Sequence, residues 1–244
     1  MTNTITTLGL LDVETTSLDP ATGHVIEVAI GLWSVEHRAL IRARSWLCAA
    51  PADEVEKTQH VHGISPAMVA ARGVPFLEVA KQVHAIMTKE ATLFCAHSAS
   101  FDRSWFPHQV QNVAPWICSM DDLAWPRPST SRSLTAVALA HGVGVVAAHR
   151  ALDDVMTLAR LFERAAELGA DLDAMITRAL RPKALFVANT PKPWEMPQGE
   201  WDSLKAQLVG AGFRFVEQPE KRWQRSMARE DVAALPFETR EVAA

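Results

Sequence analysis

Cysteine is scarce in this chain. Cys48, Cys95 and Cys118 are an odd, widely spaced set among apolar neighbours. That excludes a disulfide framework and CxxC zinc spacing, and it reads as buried thiols of a reducing compartment. No uninterrupted apolar run approaches the ~20 residues that cross a bilayer, so no membrane span is expected. The opening MTNTITTLGLLDVETT lacks a basic start and a small-residue cleavage site. A secretory leader is therefore not expected, and a cytoplasmic location is. The absence of GxxxxGK[ST] and GxGxxG argues against a phosphate loop and a dinucleotide-binding turn. Excess positive charge is lacking too: 24 Lys and Arg stand against 28 Asp and Glu, for a net charge of −4. Bulk attraction to a polyanion is excluded, so any approach to one needs a local patch or metal ions.

What is present is an ordinary globular composition, 48% apolar and 21% charged over 244 residues. That suits one large domain, or a domain of roughly 180 residues with an appendage. Three strands open the chain, at Ile5–Val13, His24–Ser34 and Ala39–Cys48. Their short links predict an antiparallel meander. Helices are predicted at Ala52–His62, from a Ser65 cap with Pro66 behind it, and at Pro75–Thr88. A short strand at Ala91–Ala96 precedes a helix over Ser100–Val113 that Pro107 interrupts. A strand at Trp116–Ser119 and helices at Leu134–His141 and Leu152–Leu168 follow. This order predicts an α/β fold with a mixed sheet of about five strands flanked by helices.

The composition changes after Pro182. Residues 1–182 form the main domain in this reading, and the proline-bearing stretch 183–200 is a linker or extended connection. Residues 201–244 read as a small α+β appendage, expected to dock on the main domain because its own burial capacity is marginal. It holds a helix at Trp201–Gly210, strands at Phe213–Glu217 and Arg222–Ser226, and a turn at Pro219. Arg214, Lys221, Arg222, Trp223 and Arg225 interleave basic residues with an aromatic, as single-strand binders do. Residues 183–244 nevertheless carry nine basic and nine acidic residues. A solvated face around a packed Trp223 explains that balance better.

Four acids and a histidine stand out by position. Asp12 and Glu14 lie at the end of the first strand, where period-2 geometry puts both on one face. Such a pair can share hard divalent cations, Mg²⁺ or Mn²⁺. With 12 Asp and 16 Glu, a D-x-E triplet arises by chance ~0.8 times in a chain of this length. The apolar strand context adds weight, since buried acids without a cation or donors are costly. Asp102, in AHSASFDRSWF, sits in the first turn of a helix, where an acid also simply favours the dipole. His97 reads as a packed or hydrogen-bonded strand-end histidine. His149 and Asp154, in AAHRALDDVMTLARL, bracket the entry to a helix, and Asp153 and Asp154 cannot both point the same way. They also read as ordinary first-turn acids beside a solvated histidine. Near a carboxylate–metal cluster, however, a histidine suits a general base.

Taken in order, these clusters resemble the three motifs of the DEDDh family of 3′-to-5′ exonucleases, the DnaQ-like branch of the ribonuclease H-like fold. Asp12-Val13-Glu14-Thr15-Thr16 resembles its D-x-E-T-T. Ala96-His97-Ser98-Ala99-Ser100-Phe101-Asp102 resembles A-H-N-A-x-F-D, and His149-Arg150-Ala151-Leu152-Asp153-Asp154 resembles H-R-A-x-x-D. Val61-His62-Gly63-Ile64-Ser65 also resembles a family signature, and the likeness covers about residues 5–168. Ser98 replaces the usual Asn, at a position that supports a turn. Ser17 replaces a common Gly, which bears on how its loop meets the terminal nucleotide. The segment GFRFVEQPEKRWQR is similar to a piece appended to some bacterial members.

The resemblance implies that Asp12, Glu14, Asp102 and Asp154 hold two Mg²⁺ or Mn²⁺ ions. Those four charges equal the formal net charge of −4, so mild acidity does not argue against a nucleic-acid substrate. It implies His149 as general base, nucleoside 5′-monophosphates as product and two-metal hydrolysis as the reaction. Thr15 would hold the terminal nucleotide. Leu18, His62 and Phe101 would pack against its base or sugar, with turn or core packing as the alternative for those three. Single-stranded 3′ ends suit such a pocket, DNA ahead of RNA. The alternatives are an oligoribonuclease or RNA 3′-end trimming enzyme, and a polymerase III epsilon-like proofreading subunit partnered by a polymerase or repair protein. No QxxLxLF-like clamp-binding peptide supports the last.

Overall fold

The computed structural model describes residues 6–217 and 220–243. Ile5, in the first expected strand, and the turn expected at Pro219 lie outside the described residues. The chain divides into two compact units, Met1–Leu180 and Arg181–Ala244.

The first unit opens with strands β1 (Thr7–Thr15), β2 (Val25–Ser34) and β3 (Ala39–Leu47). Helices α1 (Ala52–His62), α2 (Pro66–Arg72) and α3 (Phe76–Glu90) follow. Ser65 caps α2 by accepting the Met68 N–H at 3.2 Å, and Pro66 fills the first helical position, where a missing N–H is harmless. Next come β4 (Leu93–Ala96), α4 (Ala99–Trp105), α5 (His108–Gln111) and β5 (Trp116–Cys118). The interruption expected at Pro107 is there, dividing the helical stretch into α4 and α5. The unit closes with α6 (Leu134–Ala140), α7 (Ala151–Glu167) and α8 (Leu172–Ala179). The short helix α8 has no counterpart among the sequence expectations.

The sheet order is β3-β2-β1-β4-β5. The opening meander is antiparallel, and β4 and β5 join parallel to β1. This is the mixed, helix-flanked five-stranded sheet expected of a ribonuclease H-like fold. Alternation along β1 divides its side chains between two cores. Leu8 and Leu10 join Ala29 and Trp33 of β2 under Val155, Leu158 and Phe162 of α7. Leu11 and Val13 join Val28 and Ile30 under Val79, Val83 and Met87 of α3. Asp12 and Glu14 continue the α7 face by the same period. Gly31 lets α7 lie close: a Cβ there would stand 2.7 Å from Val155 Cγ1. The sheet therefore brings α7, which carries Asp154, down beside the end of β1.

The second unit contains β6 (Lys183–Ala188), α9 (Gln198–Gly210), β7 (Arg214–Val216), β8 (Arg222–Ala228) and β9 (Thr239–Val242). Its four-stranded sheet runs β7-β8-β6-β9, with each neighbouring pair antiparallel. Phe186, Leu208, Phe213, Trp223 and Met227 form its core. Two expectations are corrected. The stretch 183–200 is not a plain linker, because β6 is a central strand paired on both sides, and a 3-10 turn follows at Pro193–Glu195. The appendage also has more strands than the two read from the sequence. Trp223 is 7% exposed, a core residue rather than an open stacking platform. Among the described residues, no helix is long and apolar enough to cross a membrane.

Candidate active site

The C-terminal ends of β1 and β4 point the same way because the two strands are parallel. Side chains just beyond such ends converge in the crevice there. Asp12 and Glu14 come from the end of β1, Asp102 from α4 directly after β4, and Asp154 from the first turns of α7. All four line one groove of about 530 Å³, with Thr15, Leu18, His62, Phe101 and His149 on its walls. Each site residue expected from the sequence is thus in one place. Asp153 does not line the groove, so Asp154 is the acid of that pair that faces it.

Asp12, Glu14 and Asp154 each offer a carboxylate oxygen within 4.8 Å of the other two. Asp102 stands outside this triad, with Oδ1 accepting the Val13 N–H at 3.2 Å. It is nonetheless electrostatically close. After burial itself, the Asp102 charge is the strongest influence holding the Asp12 carboxyl well above its ordinary range, followed by Asp154 and Glu14. Burial, followed by the charges of Asp154 and Glu27, pushes Glu14 up to about 8. Burial also raises Asp102 to about 7, against the pull of backbone hydrogen bonds including that from Val13. Asp154 rises to about 6, again chiefly through burial, opposed by its hydrogen bond from the His149 backbone.

Desolvated carboxylates raising one another's proton affinity form a site short of positive charge. The donors are all hard oxygens, with no thiolate or imidazole among them, which suits Mg²⁺ or Mn²⁺. The residues therefore fit a divalent cation.

A stability effect follows from these shifts. A carboxyl group raised by folding stabilises the folded chain fully below its unfolded pKa. That contribution is lost as pH rises through the folded value. For Asp102 and Glu14 the loss begins in the ordinary carboxylate range and is complete only above about 7 and about 8, so Glu14 dominates what remains above pH 7. With EDTA present, the melting temperature should fall between pH 7 and pH 8.5. This window lies above the titration of His62 and His97, whose pKa values burial lowers. Mg²⁺ should raise the melting temperature more at pH 8.5 than at pH 7, by about 2–4 °C per kcal/mol. Thermal melts in the four conditions check this, and an equal Mg²⁺ effect at both pH values would contradict it.

The groove walls are braced locally. The loop after β1 is closed by Thr15, whose Oγ1 donates to the Ser17 carbonyl at 2.6 Å. Ser17 Oγ accepts the Asp19 N–H at 3.1 Å. A Cβ at Gly23 would lie 2.5 Å from that of Ser17, so a serine at 17 requires a glycine at 23. Thr16 Oγ1 donates to Glu54 of α1 at 3.0 Å, and His24 Nδ1 meets the same carboxylate at 2.8 Å. The loop carries Leu18, which is 86% exposed. Phe101 is half-buried, edge-on to Trp105 with ring centroids 6.0 Å apart. Ser98 precedes α4 without a side-chain cap bond.

Two histidines are structural in detail. His62 Nδ1 accepts the Ile64 N–H at 3.0 Å, which leaves Nε2–H to face Thr58 Oγ1 at 3.0 Å. Both nitrogens are committed to its own helix end, so His62 offers the groove only ring carbon surface. His97 Nε2 faces the Arg132 carbonyl at 2.8 Å and so carries the proton, and Nδ1 accepts from Ser119 at 2.8 Å. It is the hydrogen-bonded strand-end histidine expected. His149 differs: it is exposed, and its backbone lies in the left-handed region at φ 63°.

Sequence reasoning passed over Glu27. It is 2% exposed in β2, whose residues are otherwise serine, glycine and apolar side chains, all buried. Its register partner across the sheet is Glu14. A lone acid inside an apolar strand was the available signal, because such a group needs partners. Glu27 takes the Arg150 Nε and Nη2 donors at 3.0 and 3.1 Å and the Ala151 N–H at 3.1 Å.

The exonuclease family model RNase_T matches residues 10–162, more than half of the chain. Among curated proteins, a DNA polymerase III of PolC type from Thermotoga maritima is 27% identical over 180 residues, covering 66% of this chain and 12% of that protein. The chain thus spans about an eighth of the length of the curated relatives it matches. Among solved structures, exonuclease X in complex with 5′-overhanging duplex DNA has a TM-score of 0.55 at 24% identity. It covers 70% of this chain and 99% of that one. A 3′-exonuclease recognising a histone mRNA stem-loop has a TM-score of 0.57 at 17% identity, covering 74% and 86%. These likenesses show the fold. With the family match spanning all three motifs, this chain belongs to the RNase_T exonuclease family, in its DEDDh-type, DnaQ-like branch of 3′-to-5′ exonucleases.

Proposed function

We propose that this chain removes nucleoside 5′-monophosphates from the 3′ end of single-stranded nucleic acid, with DNA favoured, by two-metal hydrolysis. The chemistry is assigned to the first unit. The observation that carries the reading is the convergence of Asp12, Glu14, Asp102 and Asp154 with His149 in one groove.

Asp12, Glu14 and Asp154 would hold one divalent ion, with Asp12 and Asp102 serving the second. When bound, such ions neutralise phosphate charge and favour ionisation of the attacking water. The chain's own groups do the rest. His149 is exposed at the groove wall, where its imidazole can take the proton from water as the phosphodiester bond is attacked. Thr15 borders the same groove, and its backbone and hydroxyl would seat the terminal nucleotide. Leu18 and Phe101 supply apolar surface for its base and sugar, and His62 adds the edge of its ring. A groove of about 530 Å³ has the size of a small-ligand site. It suits one unpaired terminal nucleotide better than a duplex end.

DNA is preferred over RNA on the names of two relatives, the PolC-type polymerase and the exonuclease X complex. RNA trimming is the second reading, favoured by the likeness to the histone mRNA exonuclease. The similarity to a polymerase also keeps a proofreading partnership as a proposal. Matched DNA and RNA single strands, labelled at the 3′ or the 5′ end, test polarity and sugar together. The expected result with Mg²⁺ or Mn²⁺ is immediate release of 3′ label as mononucleotide and stepwise shortening of 5′-labelled strands, faster on DNA. Release of 5′ label first, or internal cuts, would overturn it.

A further inference from the structure

Glu27 forms a clamp that the proposed chemistry does not yet use. Its carboxylate crosses from β2 to the start of α7 and takes three N–H donors, two from the Arg150 guanidinium and one from Ala151. Residues 27 and 150 are 123 positions apart, so this is a tertiary junction. Those donors occupy the Glu27 carboxylate, which stands outside the Asp12, Glu14 and Asp154 triad, although Glu27 is the cross-strand partner of Glu14 and its charge bears on that carboxyl. A carboxylate accepting the first N–H of a helix also acts as a cap supplied from another strand. None of the side chains at the α7 start supplies one, since Arg150 at that position makes no side-chain cap bond.

His149 is the residue just before this junction. Its φ of 63° is unusual for a residue with a side chain. Such a backbone persists only where its surroundings over-determine it. On one side the His149 N–H donates to Asp154 Oδ2 at 3.3 Å. On the other, Arg150 is gripped by Glu27 in a two-pronged geometry that fixes orientation as well as position. We propose that Glu27 is a positioning residue. Through Arg150 it holds the left-handed turn at His149 and so keeps the imidazole at the groove.

The proposal rests on reading His149 as the proton acceptor, and its test separates the two ideas. Mononucleotide release is measured for wild type, Glu27→Gln, His149→Ala and the double variant, with thermal melts to verify folding. Arg150→Lys keeps the charge but loses the fork, and it replaces Glu27→Gln in the cycle if that variant does not fold. The expected loss for Glu27→Gln is about 10–100-fold in kcat, the usual effect of a group that orients a functional ligand, with KM within about twofold. In the His149→Ala background the same change should lower kcat by less than about threefold, because coupled residues are not additive. The ¹³Cα and ¹³Cβ shifts of His149 should leave their left-handed values in Glu27→Gln. Equal losses in both backgrounds, or unchanged His149 shifts, would overturn the clamp and leave the acceptor reading standing. Full activity of His149→Ala alone would remove that reading and the clamp with it.

Discussion

Asp12→Ala is expected to abolish Mg²⁺-dependent release of mononucleotides without unfolding the protein. Asp12 is the most crowded of the four acids: burial and the charges of Asp102, Asp154, Glu14 and Glu27 all raise its carboxyl. It is also one of the three residues whose carboxylate oxygens lie within 4.8 Å of each other. Its loss leaves the remaining acids without the group that joins them. Charge stabilisation worth several kcal/mol should vanish, and each 1.36 kcal/mol is tenfold in rate, so a loss of ~10³-fold or more is expected. Stability should move the other way. Removing a desolvated carboxylate from among like charges relieves repulsion, so the melting temperature in EDTA should hold or rise. Asp12→Asn, which keeps shape, should match alanine in activity. Steady-state turnover paired with thermal melts checks both effects. Retained activity would detach Asp12 from the chemistry, and a melting temperature several degrees lower would make it a structural acid.

His149→Ala should lower kcat by ~10²–10⁴-fold, the usual contribution of a positioned acid or base. KM should change little, since the side chain acts on the reacting water rather than the bound nucleotide. The left-handed backbone permits a sharper comparison. Glycine adopts φ near 63° without the Cβ conflict, so His149→Gly should be more stable than His149→Ala by roughly 1 kcal/mol. Both variants lose the imidazole, and both should lose activity equally. If glycine kept activity that alanine lost, backbone conformation rather than proton transfer would be the function of this position.

Part of the site was legible from short-range periodicity, and the rest from motifs that resemble the family's. The alternation that buries Leu8 and Leu10 under α7 also carries Asp12 and Glu14 to the same face. Asp102 and Asp154 were singled out by the resemblance to the family's second and third motifs, whose spacing selects Asp154 over Asp153; helix position alone left both as ordinary first-turn acids. Features set by pairing between distant segments were not legible. Glu27 acquires its meaning from the register that puts it beside Glu14 and from an arginine far along the chain. His62 looked available to a nucleotide base, yet its ring nitrogens are occupied by Thr58 and Ile64, contacts local in sequence but dependent on the turn at Gly63. β6 was absorbed into a linker because prolines 191, 193 and 197 dominate that stretch. A short apolar run such as KALFVA declares itself a central strand only when β8 and β9 flank it.

Anomalous scattering from crystals equilibrated with Mn²⁺ tests the carboxylate cup most directly. The expected result is a strong peak among Asp12, Glu14 and Asp154, with a second beside Asp12 on the Asp102 side, both absent from Asp12→Ala. A groove without any peak at saturating Mn²⁺, in crystals of protein that still digests 3′ ends, would show that these acids do not gather the cations and that the chemistry is carried elsewhere.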